Sequence, residues 1–375
     1  MAAVNDTLRD AALRRLVDQV RGARHDRTPL AITGGGSKAF YGGAVRGLPL
    51  DVRPLAGISA YEPSELVVTV RAGTPLAELE AALAEQGQCL AFEPPRFAEG
   101  LVPGGTVGGM VAAGLAGPAR ATAGGVRDHV LGASLLNGRG ELLSFGGQVM
   151  KNVAGYDVSR LLAGSMGELG VICEVSLKVL PRPPAQRTLR FEWDEATALK
   201  KLNEWAGQPL PLHASAWWSG MLVLRLAGAS AAVQSAATRL GGEVVDEALA
   251  APFWQGLRDH SDEFFIGARN AVASAGGARL WRLSLPPTAP ALPLPGEHLV
   301  EWGGGQRWVV TTAPVATLRD IARRAGGHAT VFRGDKSEGV FEPLAPAVAA
   351  IHQRLKASFD PDGLFNRGRL LPETA

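Results

Sequence analysis

The residues whose types and spacing could do chemistry begin with a glycine-rich loop. Residues 31–43 read AITGGGSKAFYGG, so three consecutive glycines, Ser37 and Lys38 follow a short apolar run. Glycine adopts backbone conformations that other residues avoid, and it lets main-chain N–H groups converge on a ligand. The loop therefore predicts an anion site, with an ordinary glycine turn as the alternative.

Two common phosphate-binding motifs do not fit this loop. A Walker loop requires G-x-x-x-x-G-K-[ST], whereas here the serine precedes the lysine. A Rossmann fingerprint fits Gly34, Gly36 and Ala39, but that motif must open a helix. Residues 40–52 contain three more glycines and a proline, which excludes a helix there. The remaining interpretation is a non-helical nest whose N–H groups bind a diphosphate.

A second stretch, PGGTVGGMVAAGLAG at 103–117, carries almost no side-chain bulk. Glycine inside a helix costs about 1 kcal/mol relative to alanine, so six glycines in fifteen residues need a physical reason. Close approach to a ligand or to a second backbone is one reason, and tight helix packing is the other.

Composition excludes several function classes. The chain has 375 residues and a formal net charge of +2, so it lacks the concentrated basic character that is typical of nucleic-acid-binding proteins. Cys89 and Cys173 are the only cysteines, too few for an iron–sulfur cluster or a zinc site, and they favour a reducing cytoplasm. The uncharged run 101–119 contains six glycines and two prolines, and we therefore expect no membrane span.

The chain reads as two regions with different composition. All eight tryptophans lie between Trp193 and Trp308, and the sequence LPRPPAQ at 180–186 forces extended chain between the regions. The first region mixes short β-runs with helices without regular βαβ alternation, which indicates an α+β fold. The second begins with a strand, a helix over 194–206, two strands and a helix over 229–240, and it predicts a βαββαβ unit.

Five motifs in order resemble those of the flavoproteins related to vanillyl-alcohol oxidase and p-cresol methylhydroxylase (PCMH). The motifs are ITGGGSKAFYGG, GGTVGGMVAAGLAG, GGVRDHVLG, KNVAGYDVSRLLAGSMGELGVICEVSLKVLP and FDPDGLFNRGRL. The resemblance implies a PCMH-type FAD-binding domain over 1–182, in two subdomains that divide near residue 55. It also implies a smaller α+β, ferredoxin-like cap over 183–330 and a C-terminal segment, 331–375, that returns to the FAD domain.

The resemblance also implies which residues bind FAD. The sequence matches five parts of the family's cofactor site. These are the loop around the FAD diphosphate, a second segment beside the diphosphate and flavin, a segment that continues along the cofactor, the adenosine end, and the isoalloxazine. In that order the residues are Gly34, Gly35, Gly36, Ser37 and Lys38; Thr106, Gly108 and Gly109; Gly117, Gly124 and Arg127; Gly170 and Ile172; and Asn366. No histidine lies in 31–43, where relatives with covalent flavin attach the ring, so the FAD is expected to be non-covalent; Cys89 or a remote histidine is the alternative linkage.

Within this family, the fourth motif and the short cap resemble most closely the E-type subunits of bacterial glycolate oxidases. That resemblance implies an FAD-binding subunit of a complex that oxidises glycolate to glyoxylate and passes electrons through flavin to partners. Those partners are a D-type flavoprotein and an F-type iron–sulfur subunit, in the cytoplasm or held peripherally at the inner membrane through them. A stand-alone FAD-linked 2-hydroxy-acid or alcohol oxidoreductase and a structural scaffold without redox role are the alternatives.

No catalytic or metal-binding residue is assigned from the sequence. Relatives that oxidise 2-hydroxy acids carry a His-x-His type cluster, and the seven histidines here are too far apart in sequence to form one. RDHSDEFF at 258–265 reads either as a solvated helix face or as a contribution of the cap to the flavin pocket. Arg269 and Arg333 read as carboxylate-binding or structural arginines, and one of Trp217 and Trp218 is expected to face outward.

Overall fold

The computed structural model describes residues 10–97, 104–147, 157–274 and 276–372. Residues 151–156 of the fourth motif and 103 of the second glycine stretch lie outside that part of the chain. Among the described residues, no helix combines the length and the apolar character that crossing a membrane requires.

The first region is built around a five-stranded antiparallel sheet in the order β3-β4-β8-β6-β7. Its central strands are rich in valine and leucine and bury both faces, since helices cover one side and the N-terminal elements the other. A short parallel pair, β1-β2, lies beside it, and β5 pairs with β9. The strands are β1 Leu30–Thr33, β2 Leu48–Asp51, β3 Ile58–Glu62, β4 Val67–Arg71, β5 Gln88–Cys89, β6 Val130–Leu136, β7 Leu142–Gly146, β8 Val171–Lys178 and β9 Leu180–Pro181.

Six α-helices lie in the described part of this region, and the longest comes first. The carboxylate of Asp10 caps α1 by accepting hydrogen bonds from the N–H groups of Ala12 and Leu13. Leucines and valines at helical spacing then bury one face of α1 against β1, β2 and the C-terminal segment. The helices are α1 Ala11–His25, α2 Leu76–Glu85, α3 Val107–Ala113, α4 Arg120–Ala123, α5 Val126–His129 and α6 Val158–Leu161.

The second region forms one antiparallel sheet of eight strands in the order β13-β10-β12-β11-β15-β16-β14-β17. The helices of this region are α7 Glu195–Ala206, α8 Ser230–Leu240, α9 Glu247–Asp259, α10 Glu263–Ala273 and α11 Val315–Arg324. The strands are β10 Ala185–Glu192, β11 Leu212–Trp218, β12 Met221–Gly228, β13 Glu243–Val245, β14 Arg279–Ser284, β15 Glu297–Glu301, β16 Gln306–Thr311 and β17 His328–Arg333.

The cap contains two βαββαβ-like units where the sequence predicted one. The first unit runs from β10 to β13 and has the strand order of a ferredoxin-like fold, and the second repeats that order from β14 to β17. They join edge to edge where β11 pairs with β15. The second unit lacks its first helix, because the proline-rich loop 285–296 replaces it, and that loss hides the repeat in the sequence.

The chain returns to the first region after β17, which continues three residues past position 330. Helix α12, Pro346–Phe359, follows, and the next residues pair with β1: the N–H of Leu30 donates to the carbonyl of Leu364, and the N–H of Asn366 donates to that of Leu30. The C-terminal segment therefore lies beside the glycine loop, although more than 300 residues separate them in sequence.

Aromatic side chains fill the contact between the two regions. Phe97 from the first region meets His260 of the cap at 4.9 Å between ring centroids, and Phe40 meets Phe332 at 5.4 Å. The tryptophans also contribute to the interior of the cap, since each of the eight is buried or half-buried. Trp217 and Trp218 are both half-buried and donate to the carbonyl of Trp193 and the carboxylate of Glu297, so neither faces outward freely.

An ion pair between Glu93 and Arg225 also joins the two regions, with 2.6 Å between Oε1 and Nη2. The Arg225 side chain is 8% exposed, and the other oxygen of Glu93 accepts from the N–H of Ala119. We expect Arg225→Met to lower the free energy of unfolding by about 2–3 kcal/mol, because it removes the buried guanidinium and leaves a half-buried carboxylate, 22% exposed, without its cation. Urea denaturation measures this.

The matched control is Arg190→Met. Its pair with Glu243 has a similar length, 2.7 Å, but the side chains are 44% and 62% exposed. That variant should cost only about 0–1 kcal/mol. Equal losses in the two variants would show that burial of the Glu93–Arg225 pair does not determine its contribution.

Candidate functional site

The glycine loop presents a row of unused backbone donors. Among the described residues, none of the five consecutive N–H groups from Gly34 to Lys38 has a hydrogen-bond acceptor in the protein. Backbone N–H groups rarely stay unpaired, and successive free ones form a concave anion site. Gly36 has φ +73° and open space where a Cβ would be, so glycine supplies both the turn and the access.

The second glycine stretch supports this loop from behind. A Cβ on Gly34 would lie 2.5 Å from Oγ1 of Thr106, and one on Gly35 would lie 2.7 Å from the backbone N of Gly105. Thr106 caps α3 by accepting from the N–H of Gly109. The two stretches therefore meet backbone to backbone, which is the close approach that their glycines predicted.

An open cleft of about 980 Å³, including solvent at its mouth, runs along the two stretches. Eleven of the fourteen residues that the sequence assigned to FAD line it. They are Gly34, Gly35, Gly36, Ser37, Lys38, Thr106, Gly108, Gly109, Gly170, Ile172 and Asn366. Small residues predominate, so a ligand here would contact main chain over much of its length.

Three assigned residues do not line this cleft. Gly117 lies against Glu93 and accepts a hydrogen bond from Nε1 of Trp302 at 3.0 Å. Gly124, with φ +84°, ends α4, and Arg127 is exposed on α5. Their contact with the cofactor remains a prediction that the cleft geometry does not support.

Asn366 holds the cleft together through its side-chain amide. Its Oδ1 accepts from the N–H of Ile32 at 2.8 Å, and its Nδ2 donates to the carbonyl of Met166 at 2.6 Å. The residue has φ +43°, a conformation that asparagine tolerates better than most residues. Both polar ends are thus used inside the protein, and the side chain fixes β1 against the 166–167 turn.

Sequence reasoning missed Arg369, which also lines the cleft. Its guanidinium donates to the carbonyls of Ala39, Tyr41 and Gly43, so it fixes the return of the glycine loop. Burial lowers the pKa of Arg369. The signal was weak, because a single arginine near the end of the fifth motif does not reveal three backbone acceptors over 300 residues away.

A second, smaller cavity of about 300 Å³ lies between the first region and the cap. It is lined by Pro95, Phe97, Leu115, Ala116, Gly117, Leu257, Arg258, His260, Arg282, Glu301, Gln306, Trp308 and Phe332. Aromatic rings and buried polar groups thus share its wall.

His260 shows that the 258–265 stretch is not a solvated helix face. It is buried, its ring stacks on Phe265 at 3.6 Å between centroids, and its Nδ1 has no hydrogen-bond partner. Burial holds the pKa of His260 well below its usual range, and nearby arginines lower it further. The imidazole is therefore neutral at pH 7.

Other polar groups at or near this cavity are engaged within the protein. Burial raises the pKa of Glu301 to about 7, and its carboxylate accepts from Trp308 at 2.7 Å and from Gln306 at 3.0 Å. Arg269 donates to the carbonyl of His260, and Arg333 stacks on the ring of Phe40 at 3.4 Å. Among the described residues, no group of three or more metal-ligating side chains comes together.

Comparisons with known proteins agree with the geometry of the cleft. The FAD binding domain family matches residues 13–146. Among solved structures, alkyldihydroxyacetonephosphate synthase superposes with a TM-score of 0.63 at 15% identity, over 94% of this chain and 75% of that one. This places the fold among PCMH-type FAD enzymes.

Sequence comparison then decides the family. The glycolate oxidase subunit GlcE of Escherichia coli is 49% identical over 358 residues, which is 96% of this chain and 97% of that protein. This chain belongs to the GlcE family. As a GlcE-family flavoprotein it binds FAD, and its free loop donors and small-residue cleft fit the diphosphate and the flat ring systems of that cofactor.

More distant relatives of this GlcE-family chain match less than half of it. The glycolate oxidase subunit GlcD of Bacillus subtilis is 30% identical over 165 residues, 44% of this chain and 34% of that protein. A D-lactate dehydrogenase of Anaerostipes hadrus is 31% identical over 43% of this chain and 33% of its own length. These partial matches relate part of the chain to a glycolate oxidase subunit and a D-lactate dehydrogenase.

Proposed function

We propose that this chain is the FAD-binding subunit of a glycolate oxidase complex. In this role electrons taken from glycolate, as it becomes glyoxylate, pass through flavin to partner subunits. The observation that carries the proposal is the row of five N–H groups in the cleft that have no acceptor among the described residues, together with near full-length similarity to GlcE. FAD supplies the redox chemistry when bound, and the chain holds and orients it.

The domain division and the mode of FAD attachment are part of this proposal. The FAD domain spans 1–182 with a subdomain boundary near 55, the cap spans 183–330, and 331–375 returns to the FAD domain. The FAD is non-covalent, since neither histidine nor cysteine lines the described cleft. Residues Gly34 to Lys38 bind and orient the cofactor, and Asn366 and Arg369 hold the loop in place.

The partners we propose are a D-type flavoprotein and an F-type iron–sulfur subunit. The chain has two cysteines, which form no disulfide, whereas an iron–sulfur cluster takes about four cysteine ligands. Electrons that leave this flavin therefore need a carrier on another chain. The complex is cytoplasmic and reaches the inner membrane through its partners.

The alternative function is a stand-alone 2-hydroxy-acid oxidoreductase, and it is favoured only by the buried His260 beside the second cavity.

Co-expression of the three subunits tests the proposal. A tag on this chain should recover the D-type and F-type subunits, and the complex should reduce an artificial acceptor with glycolate. Omission of this chain should lower that activity by at least about tenfold, an effect of about 1.4 kcal/mol. Full activity without this chain, together with its purification alone, would contradict the proposal.

A further inference from the structure

The most unusual charged group in the cleft is Lys38. Among the described residues, its only hydrogen bond is a 3.4 Å contact from Nζ to Oγ of Ser37, and no carboxylate lies within ion-pair distance. The nearby carboxylates are committed elsewhere: Glu80 pairs with Arg96 at 2.6 Å, and Asp259 pairs with Arg258 at 2.7 Å. A cation in this position is available to a ligand.

Burial lowers the pKa of Lys38 to about 8, and the charges of Asp259 and Glu80 oppose that shift. The ammonium therefore remains mostly protonated at pH 7 while it lacks much of its hydration. A half-buried charge without an ion-pair partner is costly, so a negatively charged group of a ligand would stabilise it. In bound FAD, only the diphosphate and the reduced isoalloxazine carry negative charge.

The position of Nζ separates these two candidates. The ammonium lies past Gly105, 3.4 Å from where a Cβ on that residue would be, and 5.6 Å from the centroid of Phe97. Phe97 in turn contacts His260 of the cap. The ammonium thus lies beside an aromatic ring that reaches the cap, while the free N–H groups of the loop already suit the diphosphate.

We propose that the Lys38 ammonium lies against the isoalloxazine and makes the bound flavin easier to reduce. This rests on FAD binding and deepens the proposed electron-transfer role. A positive charge beside the ring stabilises the negative charge that appears on reduction more than it stabilises the neutral oxidised ring. Lys38 is thereby a residue that sets the reduction potential, which determines whether electrons flow into this flavin.

The reduction potential of FAD in Lys38→Met tests the inference. The substitution changes the affinity of the chain for reduced FAD by one factor and its affinity for oxidised FAD by another. The shift in potential reports the ratio of these two factors. A contact to the diphosphate, whose charge does not change on reduction, cancels in this ratio, whereas a contact to the ring does not. We expect the ratio to change at least about tenfold, a potential more negative by about 30 mV for a two-electron couple.

The experiment uses the full chain with FAD, and dye equilibration measures the potential. FAD affinity, measured separately by fluorescence titration, shows whether the cofactor binds at all. The control is Lys336→Met, because burial also lowers the pKa of Lys336 to about 8 but its Nζ donates to the carbonyls of Phe40 and Gly42. We expect an unchanged potential in the control.

An unchanged potential in Lys38→Met would overturn the inference, whether or not FAD affinity falls. Loss of affinity with an unchanged potential would assign Lys38 to the diphosphate. A chain that binds no FAD even with Lys38 present would instead contradict the cofactor assignment itself, so the two failures are distinguishable. Formation of the flavin–sulfite adduct, which places negative charge on the ring, is a second measurement, and we expect it to weaken at least about tenfold in the variant.

Discussion

Gly35→Asp is expected to abolish FAD retention while the cap remains folded. A Cβ at this position would lie 2.7 Å from the backbone N and 3.0 Å from the Cα of Gly105, and backbone atoms cannot yield as a flexible side chain does. The added carboxylate would also place negative charge beside the diphosphate. We expect FAD affinity to fall at least about 100-fold, which corresponds to about 2.7 kcal/mol.

The flavin absorbance of the purified variant, relative to its protein content, measures the effect. Gly35→Ala separates the two causes, since it adds the Cβ without the charge and should lose part of the affinity. Gly267→Asp is the matched control, because this glycine lies exposed on α10 with no atom within 4 Å of an added Cβ. Unchanged FAD content in a folded Gly35→Asp variant would remove the loop from the cofactor site.

The isolated chain, loaded with FAD, is expected to stay oxidised in excess glycolate or D-lactate. Hydride transfer from a 2-hydroxy acid needs a base that takes the hydroxyl proton, with a pKa near the working pH. His260 is the buried imidazole nearest to such a role, and burial holds its pKa well below its usual range. Glu301 already accepts hydrogen bonds from Trp308 and Gln306.

Anaerobic spectra after mixing measure the reduction. Loss of a general base typically costs a factor of about 10²–10⁴, so we expect bleaching at least about 100-fold slower than in the complete complex. Dithionite should bleach the same sample at once, which shows that the flavin is competent. The chain must come from cells without the D-type subunit. Bleaching by glycolate as fast as in the complex, and its loss in His260→Phe, would establish a catalytic site on this chain.

Local chemistry made the cofactor loop readable from the sequence alone. Glycine permits backbone conformations that other residues avoid, and this is a local property, so GGGSK and the absence of a following helix predicted a nest. In the structure, five successive N–H groups there have no acceptor among the described residues. The helices over 194–206 and 229–240 were predicted within a residue of α7 and α8, because capping and apolar spacing are local signals.

The tertiary structure decided what depends on contacts between distant parts of the chain. It brings Gly35 against Gly105 and Asn366 against Ile32, it buries His260, and it gives Lys38 no ion-pair carboxylate among the described residues. It also revealed the second ferredoxin-like unit, whose missing helix removed the periodic signal. Burial, pairing and pKa shifts arise from groups that meet only after folding, so residue types and spacing predict the loop but not the environment of its charges.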